Sequence, residues 1–130
     1  MYQAKAKMIG YWNDKHTQGF IDPHKLVIVW DEELKHKVVA YLEAGKECNH
    51  QKGPSKCRFC NEFVGSCEKT DGVWMWPEGL PHYIEEHNIS LPEGFLAYIK
   101  DNNFVMDVKK YSTCSLDFWR AYCKGYKAWN

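Results

Sequence analysis

At 130 residues, with 45% apolar and 15% aromatic side chains, the chain suits one domain able to bury its own core. Its 17 basic and 17 acidic side chains cancel, which argues against the strongly basic field of a dedicated nucleic-acid binder. Apolar runs such as Leu26–Trp30 fall far short of a membrane span, and the opening MYQAKAKMIG lacks the apolar core of a signal peptide. A cytoplasmic location is the default expectation, and there the six cysteines read as metal ligands or buried thiols before disulfides.

Residues 4–12 alternate, with Ala4, Ala6 and Met8 on one side and Lys5 and Lys7 on the other, which predicts a strand with one wet face. Asn13 through Gly19 reads as a polar loop. Asp22-Pro23 can open a helix, with Asp22 as N-cap and Pro23 at the first helical position, while Leu26–Trp30 is β-branched enough to be a strand. Residues 31–44 form the clearest helix. Asp31, Glu32 and Glu33 sit at its positive end, Leu34, Val38, Tyr41 and Leu42 recur at helical spacing, and Gly45 suits the stop. Lys46–Lys56 reads as a polar loop.

Phe63–Lys69 and Val73–Trp76 flank Thr70-Asp71-Gly72, the signature of a tight hairpin. Trp74 and Trp76, two apart, share one face of the second strand. A short helix is predicted from about Gly79 to His87, ended by Asn88. Ser90 and Glu93 have capping-box spacing before a helix through about Asp101, with Pro92 in its first turn. Phe104–Val108 suggests a short strand, and Ser115 caps a last helix over about Leu116–Lys124.

Cys57-Arg58-Phe59-Cys60 is a Cys-x2-Cys knuckle, and His82 and His87 lie downstream with four residues between them. Two thiolates from one tight turn and two imidazoles from a helix across a hairpin make a tetrahedral zinc set. Two features strain the match. Residues 61–81 make a longer spacer than a minimal finger needs, and histidines five apart point about 140° apart on an ideal helix. Both reach one metal only if the helix frays or tightens near His87. Cys48, His50, Cys57 and Cys60 form the main rival set, with Cys67 a further candidate. Ordinary buried thiols and histidines are the plain alternative, but a close cysteine pair with two downstream histidines favours zinc. Four protein ligands imply a structural ion.

The stretch CRFC…GSCEKTDGVWMWPEGLPHYIEEHNISLPEGF resembles an uncharacterised family of small bacterial proteins whose pattern runs CRxC…TDG…WPEGLxHYxxxH. The resemblance covers about residues 11–96. It implies Cys57, Cys60, His82 and His87 as the ligand set, a zinc-finger-like unit over about 57–88, and a C-terminal extension over about 101–130. It implies no activity.

The expectation is therefore a small, single-domain α+β protein, 1–130, with a zinc-stapled hairpin, a short helix and about three further helices. Charge is uneven: 62–107 holds nine acids against two lysines, while 109–127 holds five basic residues against Asp117. Three functions fit these residues. A non-catalytic protein-interaction module, with Trp74 or Trp76 as anchor, ranks first. A nucleic-acid binder using the basic tail or the Lys52–Arg58 loop ranks second, because Glu85 and Glu86 would repel phosphates from the short helix. A hydrolase ranks third, either with Cys67 or Cys48 as nucleophile and His50 as base, or with metal at His82, His87 and Glu86. No membrane partner is expected.

Overall fold

The computed structural model describes residues 4–14, 19–50 and 53–129, the last three as helical backbone alone. Residues 15–18 of the first polar loop, and Lys52, fall outside the described residues. The fold is α+β. Among the described residues, four α-helices interleave with the strands of a five-stranded mixed sheet and a two-stranded ribbon.

Strand β1 (Lys5–Met8) buries Ala6 between exposed lysines, as its alternation predicts. Asp22 does cap Pro23, but the result is a single 3-10 turn, Pro23–Leu26. After it the chain runs extended, and only Val27 bridges to Ile89. Helix α1 (Glu32–Glu43) starts where Asp31 accepts the amide of Leu34. Gly45 follows its C-cap, yet not for a left-handed turn. A Cβ there would lie 2.7 Å from the Trp76 ring, so the glycine makes room for packing.

The polar stretch after Gly45 is not all loop. Strand β2 (Lys46–Cys48) pairs antiparallel with β5 (Glu68–Thr70) as a sheet edge. With three residues, of which Lys46 and Glu47 are exposed and polar, it shows no period-2 signal, and its pairing is through the backbone. The single strand expected over 63–69 is divided. Strand β4 (Phe63–Gly65) pairs with β3 (Ser55–Lys56) in the separate ribbon. Gly65, at φ 140°, turns the chain so that β5 can join the main sheet.

Strand β6 (Trp74–Pro77) completes the predicted hairpin with β5 and runs parallel to β1. The turn between them is tied from within. Asp71 Oδ1 accepts the amides of Val73 and Trp74 at 2.9 and 2.6 Å. The Tyr41 hydroxyl donates to its other oxygen at 2.6 Å. Gly72 sits at φ 90°, where a Cβ would lie 1.9 Å from the carbonyl oxygen of Lys109. The Lys109 amide in turn donates to the Asp71 carbonyl.

Trp74 and Trp76 do share a face. Both rings lie against Phe95, with centroids 5.0 and 5.3 Å away. Phe95 belongs to helix α3 (Glu93–Asp101), which has no side-chain cap. Pro92 is its N-cap, and Ser90 instead donates its amide to Leu26. The capping box therefore does not form, because the bridge beside Ile89 claims Ser90. Residues 104–108 hold no strand; Asn103 and Phe104 take left-handed backbone and start an irregular connection. Strand β7 (Thr113–Ser115) then joins β1 in parallel, and helix α4 (Asp117–Trp129) returns over it. Trp119 and Cys123 of α4 are fully buried, so this helix contributes side chains to the core. Among the described residues, no helix is long and apolar enough to cross a membrane.

Two glycines give opposite expectations. Gly72→Ala forces both a clash with Lys109 and a strained φ, and urea unfolding should show a loss of about 3 kcal/mol or more. Gly94, in α3, has only the Trp74 ring at 3.8 Å, and Gly94→Ala should be neutral or stabilising by up to about 1 kcal/mol.

Candidate metal centre

The β3–β4 ribbon exists to present a knuckle. Between its strands, Cys57 donates its amide to the Glu62 carbonyl, and Asn61 donates to the Cys57 carbonyl at 2.9 Å. Asn61 takes a left-handed φ of 64°, which an asparagine tolerates well. The turn aims backbone N–H groups at sulfur. Phe59 N lies 3.4 Å from Cys57 Sγ, and the backbone of Glu62 bonds to Cys60. The Glu62 backbone bond favours the Cys60 thiolate, but desolvation and the neighbouring Cys57 outweigh it and push that thiol above its ordinary range.

Helix α2 (Leu80–His87) supplies the histidines from its two ends. His82 lies in the first turn, where its amide makes a tight bond to the carbonyl of Gly79, three residues back. His87 is the last helical residue, because Asn88 takes φ 58° and closes the helix by bonding to Ile84. Neither histidine sits in regular helix interior, which is how rings five residues apart come to face each other. Their centroids are 5.2 Å apart.

One ligand atom each from Cys57, Cys60, His82 and His87 lies within 4.8 Å of every other. Cys60 Sγ and His82 Nε2 are 3.3 Å apart. Zinc bonds of about 2.3 Å to sulfur and 2.0–2.1 Å to nitrogen, at a tetrahedral angle, place such a pair about 3.6 Å apart. The group could hold a metal ion with little movement. Its other signature is His87 Nε2, which is buried with no hydrogen-bond partner. A buried, unpaired nitrogen costs about 1–3 kcal/mol unless something else takes its lone pair.

The surroundings hold the donors in place. Phe59, inside the knuckle, stacks on the His87 ring at 4.5 Å and 11°. Tyr83, between the histidines in sequence, is buried and reaches back to the knuckle. Its hydroxyl accepts the Arg58 amide at 2.9 Å. Burial is the main reason its phenol is pushed above the ordinary tyrosine range. Arg58 ties the knuckle to the loop after β1, bonding the Asn13 carbonyl and lying 3.8 Å from Asp14. Lys35 of α1 fixes the far end of α2, with its ammonium 3.1 Å from Asn88 Oδ1. Tyr83 stands in the His-Tyr pair of the resemblance pattern, which gives it no role, and Lys35 carries no sequence signal for this site.

The WPEGL run has a physical reading here. Trp76 is core, and Glu78 accepts the Ser66 amide at 2.9 Å to hold the bend after β4. Gly79 is required because a Cβ would lie 2.6 Å from the Val64 side chain. Leu80 returns to the core.

The other candidates lie elsewhere. His50 and Cys67 approach each other and Glu47, not the knuckle. Burial and the neighbouring Glu78 push the Cys67 thiol up to about 11, and burial also raises Cys48, so neither is poised as a thiolate nucleophile. Glu86 is exposed and is not among the four donors, although it lines a surface depression with Glu43, Lys69, Glu85 and the donor His82. In the basic tail Arg120 and Lys124 are exposed, Lys109 is paired with Asp107, and the Lys127 side chain is outside the described residues. Trp74 and Trp76 are 4% and 0% exposed.

Tyr83→Phe keeps the ring and removes the hydroxyl that braces the knuckle. It should weaken metal affinity by about 10–100-fold, read by competition with a chromogenic chelator, while the fold persists by circular dichroism. Compared with protein families, with curated proteins and with solved structures, the chain shows no match, so the geometry of the centre carries the functional argument.

Proposed function

We propose that the chain is a small zinc protein whose Cys57/Cys60/His82/His87 centre is structural, and that it works as a non-catalytic protein-interaction module. One observation carries the reading: four soft or borderline donors converge within 4.8 Å of one another. Two thiols and two imidazoles suit zinc above hard cations, and four protein ligands leave no coordination position for a substrate or water. The orphaned His87 Nε2 supports it, since a bound ion offers the partner that the protein does not. Membership of the small bacterial family with the CRxC…TDG…WPEGLxHYxxxH pattern is part of this proposal. So is a reducing, cytoplasmic setting that keeps the six cysteines as thiols.

The partner surface is not the tryptophan pair, which is spent on the core. Val27, Ile28 and Val29 stand exposed in a row, Val29 at 98%. Consecutive apolar residues in water are the usual mark of a contact site.

Native mass spectrometry of the untagged protein should find one tightly held zinc, lost in Cys57→Ser and in His82→Ala. Loss in Cys57→Ser alone would move the ion away from α2 and overturn the closed centre. Chelation should lower the melting temperature but leave most of the circular dichroism, because the core of Trp76, Phe95 and Trp119 is built without the ion. Val29→Asp should leave zinc and melting unchanged and weaken protein partner binding; unchanged binding would exclude this segment.

A further inference from the structure

A second group of donors converges away from the centre and shares no residue with it. Glu47, His50 and Cys67 each place one ligand atom within 4.8 Å of the other two. They arrive from three parts of the chain. Glu47 is the middle residue of β2, paired with Lys69 of β5. His50 follows Asn49, whose left-handed φ of 51° reverses the chain after β2. The Asn49 side chain pins that reversal by donating to Glu68 Oε1 at 2.6 Å. Cys67 lies in the bend between β4 and β5, which Glu78 holds through the Ser66 amide.

We propose that Glu47, His50 and Cys67 form a second metal site, for an exchangeable divalent transition-metal ion. The donor set decides the class of ion. A thiolate with an imidazole selects zinc, cobalt, nickel or copper over magnesium and calcium, which prefer all-oxygen shells. Three protein donors leave one tetrahedral position open, the arrangement that allows exchange and chemistry, in contrast to the closed set on α2. Burial is split in the same sense. Cys67 is 5% exposed and fixed, whereas Glu47 and His50 are exposed and within 4.0 Å of each other. A bound ion needs donor separations of about 3.3–3.8 Å. The two exposed side chains can rotate to close that last ångström while Cys67 stays where it is. On binding, the Cys67 thiol gives its proton to solvent and the sulfur becomes a metal–thiolate.

The test is a titration of metal-free, full-length protein with cobalt(II). Thiolate charge-transfer and ligand-field absorption report the sites, and native mass spectrometry counts ions. The wild type should take two equivalents, the second more weakly. His50→Ala and Cys67→Ser should each lose the second equivalent and keep the first. Cys57→Ser should lose the first and keep the second, so failure of the α2 centre is told apart from failure here. Saturation at one equivalent that depends on Cys57, or a second equivalent that survives both His50→Ala and Cys67→Ser, would overturn the proposal. Because His50 is exposed, its variant decides the matter even where Cys67→Ser disturbs the bend.

Discussion

The position of α2 is the constraint on which the centre depends. The helix has eight residues and carries a histidine in its first turn and another at its last position. Four donors can meet only if that helix is fixed in length, in phase and in distance from the knuckle. Each is fixed by a different contact. Asn88 ends the helix in a left-handed conformation, and the Lys35 ammonium binds the Asn88 side chain. Gly79 lets its start lie against Val64 at a distance that no side chain would permit. Tyr83 ties the middle of the helix to the backbone of the knuckle.

The sheet beneath depends on another buried polar group. Asp71 is fully buried at the tip of the β5–β6 hairpin. Burial raises its pKa, while hydrogen bonds from Tyr41 and from the turn amides pull the other way. The carboxylate joins α1 to the hairpin through Tyr41, and the Asp71 backbone joins the hairpin to Lys109. Hydrogen bonds made to a charged group are the stronger kind, and their loss would leave that charge buried and unpaired. This one turn therefore links the N-terminal helix, the central hairpin and the C-terminal segment.

The cysteines divide by environment. Cys57 and Cys60 lie in a turn whose N–H groups point at sulfur, next to two imidazoles. Cys67 is held among carboxylates, and its thiol is stable as such until a cation arrives. Cys123 packs in the core. The same side chain thus stands in a four-donor group, in a three-donor group and in plain packing.

Local chemistry determined much of this protein. Asp31 with its acidic neighbours and the 3.6-residue apolar period defined α1, and Asp71-Gly72 defined the hairpin. The knuckle and the paired histidines marked the four residues that converge, because ligand type and spacing are local facts. Tertiary structure decided the rest. Strands β2, β3 and β4 are two or three residues long, too short to show a period, and exist because a partner's backbone is beside them. Ser90 had the spacing of a cap, but the Leu26 carbonyl took its amide. Trp74 and Trp76 could be placed on one face from their alternation, but whether that face met water or Phe95 depended on α3. Histidines five apart point away from each other on an ideal helix. Only the tight first turn, the stop at Asn88 and the anchoring of α2 by distant residues brought them to one point.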